Sequence, residues 1–461
     1  MSLAIGSLSE FLFGHAPRPV SCGRGLELGK GTVIPEINFT LPAMDIDEAT
    51  WPEVRRLYAE MIEGVCKRAA ELEAPGLLVE FETLPAMTIR PEWGREIVEI
   101  LATCLHGYYE KHGLKNALRV TPNDTRDFLS PSHMRDGQYW EAMAQLFEMS
   151  AAAGADLLSI ESTGGKEVCD EALRFGDLRQ TIFGLAILGA RDMEFLWKHL
   201  VGVCSKANIV PAGDSACAFG NTAMVLADQK FIPRVLAAVI RVASVPRSLV
   251  AYRMGAAGPS KDCAYEGPYL KAIAGVPISM EGRSSACAHL THVGNIAQAV
   301  CDAWSNESVQ QVRLLSAYAP IVSLEQLVYD CRLMNTAAAG SREDAIRLRD
   351  WLVESDAALD PQAWVLRPDV VLRIAERIAT EPTPYLQTRV AARCAIEEIA
   401  SAHREGRLRV SPQEIRWIAK IEREVDQLPG QESEFIDEML ATPVAEKFLP
   451  GEYGIESVAS R

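Results

Sequence analysis

Short apolar runs that stop abruptly at polar residues recur along the first two thirds of the chain, each followed by an amphipathic stretch. The clearest are Leu77 to Phe81, Ala117 to Thr121, Leu157 to Ile160 ahead of Glu161, Asn208 to Pro211 ahead of Gly213 and Asp214, and Val276 to Met280 ahead of Glu281. Such runs predict strands of a parallel sheet covered on both faces. Between them, Trp93 to Tyr109, Gly137 to Ala153 and Asp228 to Val245 carry apolar residues at helical spacing. The runs follow one another at roughly 30 to 50 residues, the repeat of successive βα units. Val33 to Leu41 and Leu249 to Arg253 are candidates for the strands still needed to close an eight-stranded (β/α)8, or TIM, barrel.

From about Trp304 the strand pattern stops and the chain reads as helix. Pro368 to Ala379 and Pro384 to Arg404 have helical period. Ser411, Pro412 and Glu414 place an N-cap, a first-turn proline and a capping-box acid ahead of Ile415 to Leu428. The expected organisation is a barrel over residues 1–303 and a mainly helical extension over 304–461 that packs on the barrel or forms an assembly surface.

In a parallel barrel the residues just past the strand ends converge on one mouth. That rule selects Glu80, Glu82, Asn123, Asp124, Glu161, Asp214, Cys217, Asp262, Cys263 and Glu281. Two cysteines and a carboxylate in that set are the ligand types of an open zinc site, where three protein ligands leave a fourth position for substrate. The other cysteines, Cys22, Cys66, Cys104, Cys169, Cys204, Cys301, Cys331 and Cys394, are explained by packing, with Cys287 a further thiol in the segment Ser284 to His292. That segment also holds His289 and His292 at helical spacing, a weak metal signal without a further ligand. The run Ser162 to Glu167 reads as a tight turn relieved by Gly164 and Gly165, because it lacks the spacing of a nucleotide-binding loop.

Charge removes whole classes of function. Of 461 residues 62 are acidic and 46 basic, a formal charge of −16, and the cations are scattered among a majority of carboxylates. Neither a nucleic acid nor an anionic membrane surface suits such a chain. A cytoplasmic location is expected from the absence of a basic leader and from an odd, dispersed set of eleven cysteines.

Three segments then carry a family likeness: Ile160 to Glu167 (IESTGGKE), Gly213 to Ala227 (GDSACAFGNTAMVLA) and Gly258 to His289 (GPSKDCAYEGPYLKAIAGVPISMEGRSSACAH). Together they resemble the zinc-containing methanol:corrinoid methyltransferase subunit of methanogens and acetogens. The resemblance implies a TIM barrel and a zinc ion held by Glu161, Cys217 and Cys263, with Cys287 the alternative third ligand. It implies that zinc acts as a Lewis acid on methanol while Co(I) of a corrinoid, carried by a separate protein, takes the methyl group. No DxHxxG corrinoid-binding pattern occurs in the chain. The implied partners are therefore a corrinoid protein and, in a homodimer or hetero-oligomer, further subunits. Glu82, Asp124 and Asp214 are candidates to deliver or hold the proton that the departing oxygen needs. Two other readings stand beside this one: a related enzyme using another methoxy or alcohol donor, and a metal-free scaffold for a corrinoid protein.

Overall fold

The computed structural model describes residues 3–261, 266–283, 291–310 and 312–456. Nine strands are assigned among them: β1 (His15–Cys22), β2 (Leu26–Lys30), β3 (Ile34–Thr40), β4 (Leu77–Glu82), β5 (Asn116–Thr121), β6 (Leu157–Ile160), β7 (Val210–Asp214), β8 (Ser279–Glu281) and β9 (Ala303–Val309). The last seven form one parallel sheet in the order β7-β6-β5-β4-β3-β9-β8, while β1 and β2 make a separate antiparallel hairpin. Between the two sheet edges lies an irregular stave. Ala257 N and Gly258 N donate to Pro211 O and Ala212 O at 2.7 Å each, and Ser260 N donates to Pro277 O at 3.4 Å. This stave bridges β7 to the stretch before β8, so eight segments circle the axis in chain order, as a TIM-like barrel requires.

The strands alternate inward and outward. Along β4, Leu77, Val79 and Phe81 join the outer core under the helices, whereas Leu78 belongs to a second apolar cluster and Glu80 and Glu82 follow it on the same face. Register aligns these inward rows around the barrel: Leu78 sits opposite Ala117, Glu80 opposite Arg119 and Glu82 opposite Thr121. The lower interior is apolar, built from Ile34, Leu78, Ala117, Leu157, Ala212 and Ala303 with Val20, Leu26 and Leu28 of the hairpin beneath them. Above it the interior turns charged. Hydrophobic plugging at one end and polarity at the other leave the strand C-terminal ends as the chemically equipped face.

Several expectations need correction. Leu249 to Arg253 is not a strand but part of the helix Val245–Met254, and the stave that fills its place is the Ala257 to Ser260 segment. The strand expected at Asn208 to Pro211 runs over Val210–Asp214 because Asn208, at φ 55°, ends the preceding helix in the left-handed conformation. The strand expected at Val276 to Met280 is the short Ser279–Glu281. β9 begins at Ala303 and the helix Ala319–Gly340 follows it, packing on Trp51–Glu71, β3 and β9, so the last βα unit runs into the region expected to be mainly helical.

The remaining C-terminal helices match the expected periods, and the capping box at Ser411 and Glu414 is formed. The helix Pro384–Arg404 packs against Arg234–Ala243 of the barrel wall. The stretch Arg234–Met254 has the length and mean hydropathy, 1.5, of a membrane span, but 94% of that window is buried inside the fold. Its apolarity serves the junction between barrel and extension.

Candidate active site

The charged interior starts with Arg119 of β5, which is fully buried. Its guanidinium bonds Glu36 of β3, lies 3.3 Å from Glu80 of β4, and donates to Ser260 O of the irregular stave at 2.6 Å. Ser279 of β8 donates to the other oxygen of Glu36, and Thr121 Oγ1 donates to Glu80 Oε1 at 2.6 Å. One arginine thus ties four staves together and fixes where residue 261 emerges.

Lys261 is the product of that placement. Its ammonium, 1% exposed, lies 3.2 Å from Glu80 Oε1, 3.4 Å from Glu82 Oε2 and 3.2 Å from Glu161 Oε1. Exposure rises along this trio from 0% at Glu80 to 22% at Glu161 and 30% at Glu82, so the cluster opens toward solvent at the mouth. Asn38 Nδ2 donates to Glu82 Oε2 at 3.3 Å. A lysine in a sequence carries no burial signal, so the motif around Lys261 does not reveal its place in the interior.

Glu161 heads a loop held at nearly every residue. Asp214 Oδ1 accepts from Ser162 N at 3.4 Å, Asp124 Oδ2 accepts from Thr163 N at 2.8 Å, and Gly165, at φ 85°, turns the chain into the helix Lys166–Phe175. A Cβ on Gly165 would meet Gly184 O at 2.4 Å, which explains the glycine there. The tight-turn reading of Ser162 to Glu167 agrees with this geometry.

Cys217 opens the helix Cys217–Asp228, is 3% exposed, and its Sγ accepts from Asn221 Nδ2 at 2.9 Å. Ala216 N, one residue earlier, donates to the buried Glu266 at 2.7 Å, and Ser248 Oγ donates to the same oxygen at 2.5 Å. Cys217 is disulfide-bonded, whereas Cys22, Cys66, Cys104, Cys169, Cys204, Cys301, Cys331 and Cys394 are free thiols. The eight cysteines assigned to packing are thus not bridged to Cys217. Cys263, Asp262, Cys287 and His289 lie outside the described residues.

Arg247 links the loops of Glu161 and Cys217. Fully buried, it donates through Nη2 to Ser162 O at 2.8 Å and Ser162 Oγ at 2.5 Å, and through Nη1 to Ser215 O at 3.3 Å, with its guanidinium over the Phe219 ring. The sequence does not reveal this role: the adjoining Leu249 to Arg253 reads as a strand, whereas the helix Val245–Met254 is what turns Arg247 inward.

The three acid/base candidates part company here. Glu82 is at the mouth on Lys261. Asp124 is buried and clamped by Arg126 at 2.7 and 2.8 Å; burial opposes its charge, but Arg126 and the Thr163 and Arg126 amides outweigh it and hold the carboxyl below its usual range. The other carboxylate on Arg126, Asp192, has no such amide donors, and burial pushes it up. Burial likewise raises Asp214 to about 6, against Arg247 at 3.8 Å and donors on Ser162 and Trp197. Asp124 and Asp214 thus act on the Glu161 loop. Of the weak histidine signal, His292 Nδ1 pairs with Asp360 at 3.1 Å.

A family model for the methanol-cobalamin methyltransferase B subunit (MtaB) matches residues 1–454. The chain belongs to this family. Within it, the chain is 36% identical over 461 residues to the methanol--corrinoid protein co-methyltransferase of Methanosarcina barkeri (strain Fusaro / DSM 804), covering 98% of each. The crystal structure of the methanol:cobalamin methyltransferase complex MtaBC from Methanosarcina barkeri includes a chain that is 34% identical and superposes with a TM-score of 0.94, over 98% of this chain and 99% of that one. The barrel with its helical extension is therefore the MtaB fold.

Proposed function

We propose that this protein is a methanol:corrinoid protein methyltransferase. Full-length membership of the MtaB family carries the reading, with Glu161 and Cys217 on two loops that Arg247 ties together as its chemical basis. Methanol gives up its methyl group to Co(I) of a corrinoid on a separate protein, which supplies the electron pair, and the oxygen departs as water after gaining one proton. The partner is a corrinoid protein, as in the MtaBC complex of the relative. This location of the cofactor agrees with the absence of a DxHxxG pattern in the chain.

Zinc fits the donor set. Glu161 offers a part-exposed carboxylate and Cys217 a soft sulfur donor at a helix N-terminus, both ligand types that zinc accepts. Glu161, Cys217 and Cys263 are the proposed ligands. When bound, zinc supplies Lewis-acid polarisation of the C–O bond, whose cleavage would otherwise expel hydroxide.

The chain's own groups prepare that site. Lys261 engages one Glu161 oxygen and so orients the carboxylate, while Arg247 and Glu266 hold the two loops that carry Glu161 and Cys217. Among the proton-handling candidates, Glu82 is favoured. It is the one at the solvent-facing edge, and the Lys261 ammonium it shares with Glu161 sets it beside that carboxylate. Asp124 and Asp214 are positioning residues in this scheme.

The donor test separates methanol from the alternative of a larger methoxy compound. Zinc-loaded protein mixed with a corrinoid protein reduced to Co(I) should form methyl-cobalt with methanol, followed by its visible absorption, and at least about a hundredfold more slowly with methoxylated aromatics. Transfer from the aromatic donors alone would overturn the substrate assignment.

A further inference from the structure

The turn Pro450–Tyr453 lies nearly 290 positions from the Glu161 loop in sequence yet is hydrogen-bonded into it. Tyr453 is 1% exposed, and its hydroxyl accepts from Gly165 N at 3.1 Å and donates to Glu167 Oε1 at 2.8 Å. Three further groups anchor the turn. Glu452 Oε2 accepts from Met134 N at 3.0 Å and Arg135 N at 2.7 Å, in the loop that follows β5. Arg191 Nη1 donates to Tyr453 O at 3.3 Å and Gly454 O at 3.1 Å. The Phe448 ring packs edge-on against the tyrosine.

These bonds finish a pattern. Ser162 is held by Asp214 and Arg247 and Thr163 by Asp124, all within the barrel; Gly165 and Glu167 are held by Tyr453 alone among the side chains described. Glu167 has little else to recommend its place: it is half-buried, its second oxygen has no hydrogen-bond partner among the described residues, and desolvation pushes its carboxyl up to about 7. A carboxyl kept in an unfavourable setting to receive one hydroxyl marks a contact with a purpose.

We infer that the Pro450–Tyr453 turn is a strap that fixes the conformation of the Glu161 loop, with Tyr453 as a positioning residue for the active site. The helical extension then does more than cover the barrel. It reaches back over the wall and sets the height at which the Glu161 carboxylate is presented. The effect on metal rests on the reading of Glu161 as a zinc ligand; the hold on the loop does not.

Tyr453→Phe keeps the buried ring and deletes both hydrogen bonds, and it can be examined in the full chain. Two readouts are taken on the reduced protein. Hydrogen exchange followed by mass spectrometry should accelerate in peptides spanning residues 161–169 and stay unchanged in peptides from β3 to β5. Zinc affinity, measured by competition with a chromophoric chelator, should fall roughly three- to tenfold, below the usual loss for a group bonded directly to a ligand. Unchanged exchange in that loop overturns the proposal, whatever the metal does. Faster exchange with unaltered zinc affinity keeps the strap but refutes its link to the site, and a wild type that binds no zinc refutes the ligand reading alone. If Tyr453→Phe fails to fold, Glu167→Gln, which preserves an acceptor for the hydroxyl, should fold and show near wild-type exchange. Equal loosening in Glu167→Gln and in peptides throughout the barrel would reduce Tyr453 to a packing residue and overturn the inference.

Discussion

Cys217→Ala is expected to fold, to lose stoichiometric zinc and to transfer methyl from methanol at least about a thousandfold more slowly. The loss follows from the chemistry of the leaving group. Lewis-acid help on the C–O bond is worth several kcal/mol, and about 4 kcal/mol corresponds to a factor of a thousand in rate. Folding is expected to survive because the substitution removes one small atom at the first position of the helix Cys217–Asp228, where alanine is well tolerated, and leaves the Ala216 bond to Glu266 intact. Cys169→Ala provides the contrast. Cys169 is buried, free and donates to Thr181 O at 3.4 Å, with its thiol pushed far up by burial, so its removal should leave zinc content and rate unchanged. Metal content by elemental analysis and the rate of methyl-cobalt formation, both on freshly reduced protein, check the pair.

The largest effect on stability is expected at Arg126, a residue with no hydrogen bond to Glu161 or Cys217 among the described residues. Its guanidinium is completely buried, bidentate to Asp124 at 2.7 and 2.8 Å and to Asp192 at 2.8 and 2.9 Å, and it donates to Met134 O. Arg126→Met keeps most of the volume but strands two buried carboxylates. Breaking one buried pair in this way costs about 3 to 5 kcal/mol, and here two anions share the lost cation. The urea midpoint should fall steeply. Replacing both acids as well, in Arg126→Met/Asp124→Asn/Asp192→Asn, should recover much of that loss, since the penalty lies in the stranded charges and not in missing attraction. The triple variant should keep its zinc affinity close to that of the wild type, because Asp124→Asn leaves an amide oxygen to accept from Thr163 N behind Glu161.

The path from sequence to site was legible where a residue's chemistry and its place in the period coincide. Leu157 to Ile160 ends in Glu161, and a strand that ends in a carboxylate at a barrel mouth is readable from letters alone. Cys217 stands out for the same reason, just past a short apolar run and at the head of a helical pattern. The sixth stave was not legible because Ala257 to Ser260 contains no β-branched or aromatic residue. It is held by three backbone bonds that any sequence could make, while the neighbouring Leu249 to Arg253 has strand-like composition inside a helix. The inward alternation of β4 was hidden as well, since Leu78 fills the apolar floor and makes the run look continuous before Glu80 and Glu82 reveal the period.

The residues that build the site rather than line it escaped for a different reason. Lys261, Arg247 and Tyr453 belong to types usually found on surfaces or at boundaries, and only the closure of the barrel buries them. Each acts across more than eighty positions of sequence, Arg247 on Ser162 and Tyr453 on Gly165. Periodicity is local and carries no trace of such pairs. The overall charge of −16 was likewise silent on the interior, where Arg119 and Lys261 sit among carboxylates that bulk composition cannot separate from those on the surface.

The central claim, that Glu161 and two cysteines make a zinc site at the mouth of this barrel, is tested most directly by X-ray absorption at the zinc edge on the reduced wild-type protein. The account expects one zinc per chain, with two sulfur neighbours at about 2.3 Å and the rest of the shell made of oxygen. A protein that takes up no zinc under reducing conditions, or whose zinc has no sulfur neighbour, would contradict it.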